Sequence, residues 1–207
     1  MDSSKDYFVK RHDILREAQV LFAQNGYEKT SVNAILNRVG IAKGTFYYYF
    51  NSKEEVLDAI IEEITDMAVA RARQVASDAS LSAIDKFLKV FLVMNVEEEV
   101  DSRLKETVHH SQHGIFYQKS LVQAIEKLTP ILETIVSEGI EQGIFQADFP
   151  KQYIQIFLTS ALSLFDGDVI MMTPTEKQEM TQALLCLGEK MFDLPAGSFS
   201  LADKISR

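Results

Sequence analysis

Between Thr30 and Lys53 the chain reads T-S-V-N-A-I-L-N-R-V-G-I-A-K-G-T-F-Y-Y-Y-F-N-S-K, and this stretch leaves few folds open. Val32, Ile35, Leu36 and Val39 fall at i, i+3, i+4 and i+7, the spacing that puts apolar side chains on one face of a helix. Thr30 or Ser31 can cap it, because a hydroxyl oxygen accepts from the amides that a first turn leaves unpaired. Gly40 follows the last apolar position, where the chain needs a left-handed or sharply bent residue that a β-carbon disfavours. Ile41 then plugs the turn into the core. A second short helix from Lys43 to Tyr49 turns Phe46 and Phe50 inward at i, i+4. Its outer face carries Lys43, Thr45, Tyr48 and Tyr49, with Gly44 bare between them, while Tyr47 packs its ring and leaves its hydroxyl at the surface. A helix, a glycine turn and a second helix with a hydroxyl-rich outer face is the layout of a DNA-binding helix-turn-helix.

Two plainer readings compete. Thr45 to Phe50 has high β-propensity and suits a strand, although helical periodicity leads into it and a capped helix follows within three residues, leaving no partner strand. The other is a helical corner with surface tyrosines, which composition alone does not exclude. The order of the residues separates them. The stretch resembles the helix-turn-helix of the TetR family of transcriptional regulators, in which a Thr opens the second helix and an A-G-[VI]-[SA]-x-G-x-x-Y-x-[YH]-F-x-x-K-x-x-L run follows. Val39, Gly40, Ile41, Ala42, Gly44, Tyr47, Tyr49, Phe50, Lys53 and Val56-Leu57 stand in register here, with Val39 in place of the usual Ala and the leucine one place late. The preceding I-L-R-E-A-Q-V-L-F-A-Q-N-G-Y is similar to the first helix of the family's head.

The resemblance covers residues 8–68 and implies an all-α protein: a three-helix DNA-binding head on a larger C-terminal helical bundle. The expected division is 8–68 for the head, with the helix-turn-helix at 31–50, then 69–194 for ligand binding and dimerisation, and 195–207 as a loose tail. It implies double-stranded operator DNA as a partner, a homodimer, and a small-molecule effector whose identity and contact residues the sequence does not name. Thr30, Ser31, Lys43, Gly44, Thr45, Tyr47, Tyr48, Tyr49 and Lys53 are the expected DNA contacts. Hydroxyls and lysines mostly hold phosphates, while Lys43 and Thr45 reach base edges. Lys53 matches the family's phosphate-contacting lysine.

Charge supports that orientation. The net charge of −9 argues against a nucleic-acid partner until its distribution is seen. Residues 1–53 hold eight Lys and Arg against five Asp and Glu, a net of +3, and the remainder holds thirteen against twenty-five, a net of −12. A basic head on an acidic body directs DNA to one end. The single cysteine, Cys186, has no internal partner and lies among Leu184, Leu185 and Leu187, which fits a packed thiol in a reducing cytoplasm. The first residues lack the apolar core of a signal peptide, and no apolar run approaches the ~18 residues of a membrane span, so a cytoplasmic protein without membrane contact is expected.

Further along, a helix from Tyr7 to Asn25 is expected before the helix-turn-helix. Ser52-Lys53-Glu54-Glu55 is a capping box opening a fourth helix whose apolar face holds Leu57, Ile60, Ile61, Ile64, Met67 and Ala68. Residues 81–96 are apolar almost all round, Glu97 to His113 form a more polar helix, and a long helix runs from Phe116 to about Gly143 with a kink expected at Pro130. Pro150 opens another helix, and Thr173-Pro174-Thr175-Glu176 caps the next. These last two carry more apolar surface than one bundle needs, which suggests a subunit interface. Phe87, Phe91, Met94, Phe116, Tyr117 and Phe157 are numerous enough to line an effector pocket rather than only fill the core, but such stripes are usually core, and none of them is assigned as a ligand contact.

A second function class competes. His109, His110 and His113 lie within V-H-H-S-Q-H-G, where two or three imidazoles on one helix can hold a metal only with further ligands from elsewhere. A solvated histidine face is the expected account, and a metal-responsive regulator the alternative. Asp166 and Asp168 are read as a polar helix end. No glycine-rich phosphate loop, G-x-S-x-G or H-E-x-x-H occurs, so no catalytic role and no cofactor is expected.

Overall fold

The computed structural model describes residues 3–95, 115–164 and 170–200. Among them are eight helices and no strand: α1 (Ser3–Asn25), α2 (Val32–Val39), α3 (Lys43–Tyr49), α4 (Lys53–Ser77), α5 (Ala83–Asn95), α6 (Ile115–Glu141), α7 (Pro150–Leu164) and α8 (Pro174–Met191). The expected helix over 97–113, with its histidines, and Asp166 and Asp168 lie outside the described residues.

The helix ends follow their local chemistry. Ser31 caps α2, its Oγ accepting from the Ala34 amide at 3.2 Å. Thr173 caps α8 in a full capping box with Glu176. At α4 the box is shifted by one residue. Ser52 Oγ accepts from the Glu55 amide at 3.1 Å, but the Glu55 carboxylate reaches back to the Asn51 amide at 2.6 Å. Pro130 lies inside α6 without ending it, and Thr129 and Thr134 donate to the carbonyls of Ile125 and Pro130.

The residues form two compact units, Met1–Ile64 with Glu97–Ser120, and Thr65–Val96 with Leu121–Arg207. In the first, Ile14, Leu15, Ala18 and Phe22 of α1 bury against Ile35 and Leu36 of α2, Phe46 and Phe50 around α3, and Val56, Leu57, Ile60 and Ile61 of α4. Phe116, at the start of α6, joins this core. The expected apolar face of α4 needs one correction. Met67 is 48% exposed, while Thr65 and Val69 take the buried positions. Over 25 residues the 3.6-residue period drifts, so the stripe moves from 57, 60, 61 and 64 to 65, 69 and 72.

The second unit is built around phenylalanines. Phe87 is fully buried, with the rings of Phe91, Phe145, Phe157, Phe192 and Phe199 around it at 5.2–6.3 Å. Within the stretch expected to be a loose tail, Phe199 stacks on Phe87 at 5.3 Å and its amide donates to Glu189 Oε1 at 2.7 Å. Lys86 is buried on the apolar helix α5 and its ammonium pairs with Glu138 at 2.7 Å. The pairing holds the Glu138 carboxyl below its usual range.

Candidate nucleic-acid interface

The reader is set by the turn between α2 and α3. Gly40 has φ 72° and ψ 40°, the left-handed conformation. Its amide and that of Ile41 both donate to the Leu36 carbonyl, at 2.9 and 3.1 Å. The chain then enters α3 through Ala42, whose carbonyl accepts from Thr45 and Phe46. Phe46 and Phe50 go inward, which turns the opposite face of α3 outward. Arg38 at the end of α2 donates to Glu17 of α1 at 2.9 Å, and this bond lowers the Glu17 pKa. The two-helix reader is thereby tied to its brace by both packing and charge.

The outward face of α3 carries Lys43, Gly44, Tyr47 and Tyr48, all exposed, with Thr45 half-buried beside them. Tyr48 is 71% exposed. The Lys43 ammonium lies 5.9 Å from the Tyr47 ring centroid, a distance at which a cation is still drawn to a ring face. Ser31, exposed at the start of α2, already uses its oxygen as the cap. Thr30 is 2% exposed and its hydroxyl lies within bonding distance of the Leu21 and Gly26 carbonyls, so it serves to close the end of α1. Tyr49 is half-buried against Tyr7. The Lys53 ammonium donates to the Tyr27 carbonyl at 2.7 Å and sits 4.0 Å from the Tyr27 ring centroid, which pins the turn between α1 and α2.

Gly44 calls for its own explanation. A β-carbon there would meet nothing within 4 Å, and its backbone is ordinary helix. A helical glycine with no packing or conformational need is a cost in the free protein.

Sequence reasoning missed Tyr7 as part of this surface. Its ring lies 5.7 Å from Tyr48 and 4.8 Å from Tyr49. Helical periodicity within α1 carries no signal for a ring contact made some forty residues away.

In the second unit, the aromatic residues follow the core reading and not the pocket one. Phe87, Phe91 and Phe157 fill the core against one another, and Phe116 belongs to the first unit's core. The Met94 side chain lies outside the described residues. A separate open groove of about 860 Å³ runs between α4 and α6, with Val69, Pro130 and Ile131 along it and Arg73, Lys127 and Asp66 at its polar edge. Lys127 pairs with Asp66 there at 2.7 Å. His109, His110 and His113 are not described, and among the described residues no helix is long and apolar enough to cross a membrane.

A braced pair of short helices, with a tight glycine turn and an outward cationic and hydroxylated face, defines a helix-turn-helix DNA-binding protein. Two family models match the chain. The first, "Bacterial regulatory proteins, tetR family", matches residues 14–60, and "Tetracyclin repressor-like, C-terminal domain" matches residues 95–189. The chain belongs to the TetR family of transcriptional regulators. It is 24% identical over 160 residues to the HTH-type transcriptional repressor KstR2 of Mycobacterium tuberculosis, covering 72% of this chain and 76% of that protein. It is 39% identical over 64 residues to the HTH-type transcriptional regulator UidR of Escherichia coli K12, covering 31% and 33%. Among solved structures, SmeT, the repressor of the Stenotrophomonas maltophilia multidrug efflux pump SmeDEF, has the same fold. It superposes with a TM-score of 0.69 at 20% identity over 93% of this chain and 94% of that one. SmeT has also been solved as a triclosan complex, with TM-score 0.69, 19% identity and coverage of 93% and 95%.

Proposed function

We propose that this protein is a repressor that binds a palindromic operator as a homodimer in the cytoplasm and is released by a small-molecule effector. The observation that carries the reading is α3 itself, whose outward face is cationic and hydroxylated while its inward face is held by Phe46 and Phe50. Residues 8–68 act as the DNA head and 69–194 as the effector and dimerisation body. KstR2 and SmeT are repressors, and SmeT has been solved in complex with triclosan, which supports both halves of the reading. No catalytic step is assigned to any residue.

On DNA, Lys43 and Thr45 face base edges, and Ser31, Tyr47 and Tyr48 hold phosphates. Thr30 acts by fixing the reader's geometry, because its buried hydroxyl is already engaged with the Gly26 carbonyl, while Lys53 pins the Tyr27 turn and keeps further N–H donors for a phosphate. Two copies of α3 about 34–36 Å apart, or a multiple of it, match successive major-groove faces of a palindrome. The groove between α4 and α6 is the seat for the effector. A hundredfold loss of operator affinity on effector binding needs about 2.7 kcal/mol of coupling, and operator must then weaken effector binding by the same factor.

Selection of duplexes from a random pool by the full-length protein tests the central claim. Enrichment of an inverted repeat is expected, and enrichment of nothing over bulk DNA overturns it. Gly44 supplies a sharper check. Gly44→Ala should stabilise the free protein by about 0.4–1 kcal/mol, since the new methyl meets open space. The same change should weaken operator binding tenfold or more, because that space is where the DNA backbone lies. Thermal melting and fluorescence anisotropy read the two signs. Unchanged affinity would take Gly44 off the interface.

A further inference from the structure

We propose that Tyr7 is a positioning residue for DNA binding, whose ring holds the exposed Tyr48 side chain in the orientation that presents its hydroxyl to the DNA backbone. The proposal rests on the reading of α3 as the recognition helix. Tyr48 is 71% exposed, and a tyrosine in that position on a free helix samples more than one staggered rotamer. Here its ring meets Tyr7 at 5.7 Å and 79°, and Tyr49 at 5.0 Å and 85°. Tyr7 and Tyr49 are themselves 4.8 Å apart at 38°. The three rings therefore close a triangle in which each touches the other two, at separations where aromatic pairs attract.

Tyr49 alone cannot fix its neighbour, because both sit on the same short helix and move with it. Tyr7 comes from α1, which is anchored to the rest of the unit by Ile14, Leu15, Ala18 and Phe22. The first turns of α1 thus reach past the brace they provide to α2 and steady the reading surface directly. Tyr7 is half-buried and outside the apolar core cluster. Phe8, 66% exposed, packs edge-on against Tyr7 at 5.7 Å and extends the aromatic surface along α1.

Ordering a rotamer-rich side chain on binding costs affinity, and ordering it beforehand removes that cost. Loss of the Tyr7 ring should weaken each half-site about fivefold, or about 25-fold for a dimer on two half-sites. The test uses the full-length protein and a duplex that the wild type selects from a random pool. Affinities are measured for Tyr7→Ala, Tyr7→Phe, Tyr48→Ala and the Tyr7→Ala/Tyr48→Ala pair, with melting curves to confirm folding. Tyr7→Ala should lose about 25-fold, Tyr7→Phe should keep wild-type affinity, and Tyr7→Ala should cost nothing further in the Tyr48→Ala background.

Additive losses overturn the proposal, as does a silent Tyr7→Ala. If Tyr7→Phe binds as poorly as Tyr7→Ala, the hydroxyl of Tyr7 is itself the DNA contact and the positioning role is wrong. A Tyr7→Ala protein that melts early is replaced by Tyr7→Leu, which keeps bulk without a ring and must show the same loss. A silent Tyr48→Ala in a protein that still selects DNA removes the positioning role while leaving the DNA-binding reading intact. Failure of the wild type to select any duplex is the failure of that reading instead.

Discussion

Phe87→Ala is expected to lower stability by about 3–5 kcal/mol, the usual cost of emptying a buried aromatic site. At about 2–4 °C per kcal/mol for a protein of this size, the midpoint should fall by roughly 6–20 °C. The reason is the arrangement around the ring. Phe87 has no exposed surface, stacks on Phe199 at 11° and meets Phe91, Phe157 and Phe192 at 5.2–5.7 Å. Five of its ring neighbours are themselves phenylalanines, so the hole cannot close by a small shift of one flexible side chain. Phe87→Leu should cost much less, because it restores most of the lost volume. The measurement also separates two accounts of this cluster. If these rings lined a cavity waiting for an effector, truncating one would enlarge an existing space and cost little. Thermal or urea melts in which Phe87→Ala matches wild type would therefore return the aromatic cluster to the list of effector sites and displace the groove between α4 and α6.

Much of the head was legible because its signals are local. The 32, 35, 36, 39 spacing, the hydroxyl before it and the glycine after it each name one turn of helix or its end, and the structure places them there. The inward Phe46–Phe50 pair of α3 was equally visible, since two aromatic residues at i, i+4 leave little choice, but the tyrosines were assigned the wrong way round: Tyr47, expected to pack its ring, is 46% exposed, and Tyr49, expected outward, is half-buried against Tyr7. What the sequence concealed were the partners. A lysine in the first turn of α4 looks like a phosphate ligand and nothing more, yet Lys53 also donates to the Tyr27 carbonyl and lies over its ring, 26 residues earlier. Thr30 and Ser31 were interchangeable as caps in the sequence, and only packing decides that Thr30 goes inside. In the second unit, Phe87, Phe91 and Phe157 show helical spacing that fits core and pocket equally well. Phe199 had no periodic neighbours at all, and only its distant contacts, the Phe87 ring and the Glu189 carboxylate, reveal that residues 195–200 are held. Met67 was misplaced for a different reason, the slow rotation of an apolar stripe along a 25-residue helix.

Leu187→Glu should convert the protein to monomers and weaken operator binding by at least about a hundredfold, the scale at which joining two sites on one ligand raises avidity. The choice of residue follows from burial. Leu184 and Leu185 of α8 face the core of their own subunit at 9% exposure, so a carboxylate there would unfold the chain and say nothing about assembly. Leu187, one turn on, is 44% exposed, and Ile156 on α7 is 52% exposed. The two helices pack against each other, and Ala183, also exposed, leaves room on α8 for a close neighbour. An exposed leucine costs little to replace in an isolated subunit, usually within about 0.5 kcal/mol, so folding should survive. In a dimer the same glutamate would be buried in the apolar patch, and two-fold symmetry repeats the change on the partner. Two carboxylates deprived of water, one from each subunit, both oppose association. Light scattering after size exclusion reads the mass, and anisotropy on a selected operator reads the affinity. Monomers that bind a single half-site weakly are the expected result, with Ile156→Glu behaving alike. A Leu187→Glu protein that remains a dimer with wild-type operator affinity would move the interface off the α7–α8 face.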